Sequence, residues 1–245
     1  MDDILKTTDI SNLQGERIDY SFRAGARSDV LVILGHGVTG NKDRPLLIAL
    51  AEGLSAQGWP CLRFSYSGNG ESGGEFVDST ITKEIADLSA VLSNVRDDVK
   101  IIYVGHSMGG AVGVLTAAQN KRIDVLVSLA GMSFTRDFVA REFGDVTPDT
   151  GLMWDEEGRI LSQRFIDDLG CIGDTLKAAA QITQPWLIVH GTEDDIVPIE
   201  DGQAAYDTAV SDKDWLPIDG ADHVFDEGSY PVIVKAIDDW INAHI

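Results

Sequence analysis

The stretch Gly105-His106-Ser107-Met108-Gly109-Gly110 follows the apolar run Lys100 to Val104 and precedes an alanine-rich helical pattern. A serine at that junction stands on a sharp strand-to-helix turn, in a strained backbone conformation that exposes its hydroxyl. Side chains two positions either way would collide with neighbouring backbone, which accounts for Gly105 and Gly109. A chain carrying this turn must run a buried strand straight into a helix, and that restricts its fold more than any other feature. The bland alternative is a serine capping a helix after a glycine-rich turn. A cap needs nothing else, whereas a nucleophile needs a base, a carboxylate to orient that base, and donors for an oxyanion.

The rest of the chain supplies the architecture in which such a turn belongs. Ile18, Tyr20 and Phe22 alternate with polar residues, as in an antiparallel edge strand, while Val30 to Leu34 is continuously apolar, as in a strand covered on both faces. Helical patterns at about 43–57, 81–94, 201–210 and 231–243 alternate with strand patterns at 59–66, 100–104, 123–130, 185–190 and 213–218. This predicts an α/β fold with a mostly parallel, doubly wound sheet. Ligands then bind beyond the carboxyl ends of the strands, where the loops after Leu34, Val104 and His190 open.

Residues 131–184 break the rhythm and read as a small cap inserted above the sheet of a single domain spanning 1–245. Phe134, Phe138 and Phe143 suit one face of a short helix; Trp154 to Ile160 suits a hairpin turning at Glu157-Gly158; Ser162 suits a cap for a turn bearing Phe165, Ile166 and Leu169. Asp174 to Ile182 reads as a helix returning to the sheet. Phe134, Phe138 and Trp154 are the candidates for substrate contact, set against the plainer role of packing the cap.

The net charge of −21 and pI near 4.3 argue against nucleic acid or an anionic membrane surface as partner. The opening Met1-Asp2-Asp3-Ile4-Leu5-Lys6 lacks the basic and apolar regions of a signal peptide, and no apolar run reaches the ~20 residues of a membrane span, which together point to a cytoplasmic protein. Cys61 and Cys171 lack metal-ligand spacing and read as reduced thiols. The oligomeric state is left open by the sequence, with a homodimer among the options.

Of five histidines, His36 and His190 sit at strand ends before glycine, where a neutral imidazole bonded to backbone is the plain reading. His106 lies inside the turn and His244 at the carboxyl terminus, which leaves His223, in the loop Gly220-Ala221-Asp222-His223-Val224-Phe225, as the base. The acid comes from His190-Gly191-Thr192-Glu193-Asp194-Asp195. Asp194 can turn back toward the site while Ile196-Val197-Pro198 anchors the loop, with Asp195 as fallback and Asp222 and Asp226 as poorer choices. The order Ser107, Asp194, His223 is that of α/β-hydrolases. Oxyanion donors are the backbone N–H of Met108, at a helix start, and that of Val38 in the loop Gly35-His36-Gly37-Val38-Thr39-Gly40.

From about Val30 to the carboxyl terminus the chain resembles the α/β-hydrolase superfamily, and within it the small-capped esterases similar to cinnamoyl and feruloyl esterases and their serine-aminopeptidase-like relatives. The motifs are His36-Gly37-Val38-Thr39-Gly40-Asn41, Phe64-Ser65-Tyr66-Ser67-Gly68-Asn69-Gly70-Glu71-Ser72, the serine turn, His190-Gly191-Thr192-Glu193-Asp194 and Gly220-Ala221-Asp222-His223. Relatives often carry Phe at Val38 and Asp at Ser65. The resemblance implies an α/β-hydrolase fold and a serine ester hydrolase acting on a small-molecule ester, with no metal or organic cofactor in the chemistry. The same triad could instead serve a peptidase, a thioesterase or a cofactor-free perhydrolase. A receptor-like binding protein on the same fold would be expected to lack a triad member, and none is missing.

Overall fold

The computed structural model describes residues 4–245, so the first three residues of the amino-terminal stretch lie outside it. Along the chain run β1 (Tyr20–Arg23), β2 (Val30–Gly35), α1 (Pro45–Ala56), β3 (Cys61–Phe64), α2 (Ile81–Asn94), β4 (Lys100–His106) and α3 (Met108–Gln119). There follow β5 (Val125–Leu129), α4 (Thr135–Phe143), α5 (Gln163–Ile172), α6 (Leu176–Ala179), β6 (Trp186–Gly191), α7 (Ile199–Thr208), β7 (Lys213–Ile218) and α8 (Tyr230–His244). The seven strands form one sheet in the order β1-β3-β2-β4-β5-β6-β7, antiparallel only where β1 meets β3. This is the α/β-hydrolase fold, and the edge strand expected around Tyr20 is β1.

The apolar strands are continuous because both faces of the sheet are covered. In β2, Leu31 and Ile33 point into one core while Val30, Val32 and Leu34 point into the other; in β6, Trp186 and Ile188 oppose Leu187 and Val189 in the same way. Period-two alternation thus feeds two separate cores rather than one core and solvent. Residues of α1 and α8 line the second core, and residues of α2, α3 and α7 line the first. Local chemistry sets the helix starts. Pro45 occupies the first turn of α1, where a missing N–H costs nothing. The Thr80 and Ser162 hydroxyls accept from Lys83 N and Phe165 N to cap α2 and α5.

Three elements depart most from the sequence reading, the other boundaries shifting by one or two residues. β3 is confined to Cys61–Phe64, because β1 offers it only four partners and the chain then bends so that Tyr66 N–H can donate to His36 Nε2 at 3.1 Å. The helix expected over 174–182 is one turn, α6; beyond it Gln181 N and Ile182 N donate three residues back, to Ala178 O and Ala179 O, so the chain continues as tight turns. The hairpin expected at 154–160 reduces to a single Leu152–Ile160 bridge. Trp154 and Asp155 adopt positive φ within a 3-10 turn, so strand geometry ends there.

Between β5 and β6, the stretch read as a cap carries α4, α5 and α6. Phe138, Phe143 and Trp154 make an aromatic cluster with ring centroids 4.8–6.3 Å apart. Thr82 holds Asp168 of α5 and Arg164 reaches Asp78, which ties the cap to the body.

Candidate active site

Ser107 lies between β4 and α3 at φ 56° and ψ −121°, a backbone region costly for any side chain. Surrounding bonds enforce it. Its N–H donates to Leu129 O at 2.9 Å, and its carbonyl accepts from Gly110 N at 2.9 Å and Met132 N at 3.2 Å. A Cβ on Gly105 would stand 2.2 Å from Gly109 O, and one on Gly109 would stand 2.5 Å from His36 O, so both glycines are steric requirements. Beneath the turn, buried Tyr103 donates its hydroxyl to Gly109 O at 3.0 Å and lies 2.6 Å from the Tyr66 hydroxyl. Ser107 makes no side-chain cap to α3, so the helix-cap alternative does not describe it.

The hydroxyl is engaged elsewhere. Ser107 Oγ lies 2.9 Å from His223 Nε2, and His223 Nδ1 lies 2.9 and 3.1 Å from the two Asp194 oxygens. An imidazole protonated at Nδ1 fits both contacts, donating to the carboxylate and accepting from the serine. The three residues arrive from the carboxyl ends of β4, β6 and β7, where a doubly wound sheet presents its loops.

The Asp194 side chain has no exposed surface. Burial alone would raise its carboxyl, but hydrogen bonds from His190, His223 and the Val197 N–H outweigh it and hold the group below the ordinary carboxylate range. Ile196 N and Val197 N donate to Oδ1 at 3.0 and 2.8 Å. The rival acids are occupied elsewhere: Asp222 accepts from Val224 N, Asp226 accepts from Ser229, and Asp195 is exposed.

Two other histidines belong to this constellation, and sequence reasoning missed both. His190 Nε2 reaches Val197 O at 2.9 Å and Asp194 Oδ2 at 3.2 Å, so it bonds to backbone as expected and also braces the acid. Both partners are acceptors, which requires the Nε2–H tautomer. His106 donates Nε2–H to the backbone carbonyl of His223 at 2.8 Å. A histidine at the end of β6, four residues before an acid, was the one available signal for the first contact.

The loop after β2 passes directly over the serine. A Cβ on Gly37 would lie 2.7 Å from Ser107 Cβ and 3.0 Å from Oγ, so only glycine lets Val38 follow at this distance. His36 anchors the loop, with Nδ1 bonded to Gly37 O at 2.8 Å and Nε2 accepting from Tyr66 N. Burial pushes this imidazole down to about 4, so it is neutral.

A cavity of about 430 Å³ opens in front of Ser107, bounded by Val38, Arg44, Leu46, Trp154, Glu156, Ile196, His223, Val224 and Tyr230. Of the three aromatics expected to contact substrate, Trp154 borders this cavity. Phe138 does not; it is buried in the cap's aromatic cluster. Phe134 is half-buried away from the cavity, its N–H bonded to Asp201. Short-range patterning could not tell cavity-facing aromatics from cap-packing ones.

The fold, with a strained serine beyond β4 facing a histidine and a carboxylate from later loops, defines an α/β-hydrolase. The chain belongs to the serine aminopeptidase S33 family, which it matches over residues 26–154, more than half its length. It is 27% identical over 212 residues to the human mitochondrial palmitoyl-protein thioesterase ABHD10, covering 80% of this chain and 67% of that protein. It is 23% identical over 250 residues to a monoacylglycerol lipase of Mycolicibacterium smegmatis, covering 88% and 89%. Among solved structures, Est1E from Butyrivibrio proteoclasticus with bound ferulic acid superposes with a TM-score of 0.82 at 23% identity, covering 97% of this chain and 99% of that one. Mouse alpha/beta hydrolase domain-containing protein 10 superposes with a TM-score of 0.79 at 23% identity, covering 98% of both chains. The chain is therefore a hydrolase with esterases and thioesterases among its relatives. No helix among the described residues is long and apolar enough to cross a membrane.

Proposed function

We propose that this protein is a serine hydrolase that cleaves small-molecule carboxylic esters through Ser107, His223 and Asp194. The observation carrying this reading is the line of contacts from Ser107 Oγ to His223 Nε2 at 2.9 Å and from His223 Nδ1 to Asp194 Oδ2 at 2.9 Å. In this reading His223 takes the Ser107 proton as the hydroxyl oxygen attacks the ester carbonyl carbon. The N–H groups of Met108 and Val38 receive the oxyanion. Collapse expels the alcohol, which takes the proton from His223, and leaves an acyl group on Ser107. Water then attacks that acyl group with His223 again as base, releasing the acid and restoring the serine. Asp194, held ionised by its donors, steadies the imidazolium without taking its proton.

The cap at 131–184 bounds the cavity through Trp154 and Glu156 and is assigned the choice of substrate. A thioester reading has its own support, because several relatives are named palmitoyl-protein thioesterases. The test is a panel of acetyl, butyryl, octanoyl and feruloyl 4-nitrophenyl esters beside matched acyl thioesters, run with wild type and Ser107→Ala. Turnover of esters that disappears in Ser107→Ala supports the proposal. Faster turnover of the thioesters moves the assignment to the second reading, and turnover that survives Ser107→Ala overturns both.

A further inference from the structure

Most of the cavity wall is apolar, formed by Leu46, Trp154, Ile196 and Val224. Among its lining residues Arg44 is the one lysine or arginine and Glu156 the one acidic side chain. Arg44 comes from the body, directly before α1, and Glu156 from the cap, so the two face each other across the rim.

Arg44 is held in place but not saturated there. One terminal nitrogen donates to Thr39 O at 3.2 Å and reaches Thr39 Oγ1 at 3.5 Å, which keeps the guanidinium at the rim. Glu156 Oε1 stands 4.0 Å from that nitrogen, beyond the ~2.7–2.9 Å of a charge-assisted hydrogen bond. Arg27, by contrast, closes both prongs of its fork on Asp29 at 2.9 and 2.6 Å. The Arg44 and Glu156 side chains are 47% and 41% exposed, so a solute entering the cavity can reach either. The first turn of α1 lines the same wall and carries no acidic residue that would compete for the guanidinium.

The chain's charge of −21 repels anions at long range, but ions screen that field beyond about 8 Å at physiological salt. A cation inside the cavity acts within that distance. Planar guanidinium suits a carboxylate in a two-pronged pair.

Resting on the proposed role of Ser107, we infer that Arg44 selects esters or thioesters that carry a carboxylate away from the scissile carbonyl. That carboxylate pairs with the Arg44 fork and displaces Glu156.

The experiment compares kcat/KM for matched substrates in wild type, Arg44→Met, Arg44→Lys and Glu156→Gln. 4-Nitrophenyl hydrogen glutarate against 4-nitrophenyl butyrate places the carboxylate on the acyl side. 4-Acetoxybenzoate against phenyl acetate places it on the alcohol side. In at least one pair the carboxylate-to-neutral ratio is expected to fall about tenfold or more in Arg44→Met, the scale of one charge-assisted hydrogen bond. The ratio should be partly kept in Arg44→Lys and raised in Glu156→Gln, and the responding pair shows which side of the ester carries the group. Should Arg44→Met fail to fold, Glu156→Gln decides: a raised ratio supports the inference and an unchanged one overturns it. If neutral esters are turned over but neither ratio moves, the substrate class is wrong while the nucleophile reading stands. If wild type turns over no ester and Ser107 takes no fluorophosphonate label, the nucleophile reading falls and takes this inference with it.

Discussion

His106 donates its Nε2–H to the backbone carbonyl of His223 at 2.8 Å, and the two imidazole rings lie 5.0 Å apart. The residue beside the serine therefore fixes the loop that carries His223, the proposed base. Burial, together with the nearby His223 ring, pushes the His106 imidazole down to about 3, so it stays a neutral donor through the working pH range. Replacing it by alanine should leave Ser107 in place and loosen His223. The expected outcome for His106→Ala is a fall in kcat of about ten- to hundredfold, the scale of a slightly misplaced catalytic group. Steady-state kinetics checks it, and unchanged kcat would show that the His223 loop holds itself.

The approach of Gly37 to Ser107 gives a second expectation. A methyl group at this position would lie 2.7 Å from Ser107 Cβ, closer than real Cβ contacts allow, so either the serine or the loop after β2 must move. Gly37→Ala should lower kcat by about 10² or more, as an ångström-scale misplacement does, while the buried sheet keeps the fold intact. Kinetics and thermal unfolding, measured on the same sample, separate the two effects.

These two contacts also show where the sequence was legible. The strands β2, β4, β5 and β6 could be placed because their apolar runs are nearly continuous, and Ser107, Asp194 and His223 because each follows a strand in a stretch of recognisable composition. The brace from His106 could not be read, since its partner carbonyl is 117 residues away. Nor could the buried Tyr66–Tyr103 hydroxyl pair that supports the serine turn. The cap was the least legible part, because its geometry depends on non-local packing. Trp154 borders the cavity and Phe138 lies in the cap interior.

Asp194 should be needed for orientation more than for proton transfer. Asp194→Asn keeps the shape and removes the charge, and is expected to lower kcat by about 10³–10⁴. His190→Gln removes one brace and leaves the Ile196 and Val197 N–H donors, so its loss should be far smaller. Equal losses in the two variants would contradict this division.

Buried His36, in the loop after β2, gives a stability expectation with a definite sign. His36 is neutral in the folded state down to about pH 4, whereas an unfolded histidine titrates near 6.5. Between these values the unfolded state binds more protons, so the stability from burying the neutral ring is complete above about pH 6.5 and is lost as pH falls toward 4. Asp194 has the same sign at lower pH: its contribution is complete above about 3.9 and is lost as pH falls through its depressed folded value. Urea unfolding of wild type and His36→Gln at several pH values isolates the first effect. The gap between the two should shrink as pH falls from 6.5 to 4, at no more than about 1.4 kcal/mol per pH unit. A constant gap would mean that His36 is already protonated in the folded protein.

The central claim is that Ser107 is the nucleophile, made so by His223. Its most direct test is kcat for a 4-nitrophenyl ester in wild type, Ser107→Ala and His223→Ala, paired with intact-mass detection of a fluorophosphonate adduct. The expected result is one adduct per wild-type chain, mapped to Ser107 and absent from Ser107→Ala, with turnover reduced by at least about 10³ in both variants. A Ser107→Ala protein that keeps wild-type turnover, or an adduct on another serine, would contradict the claim.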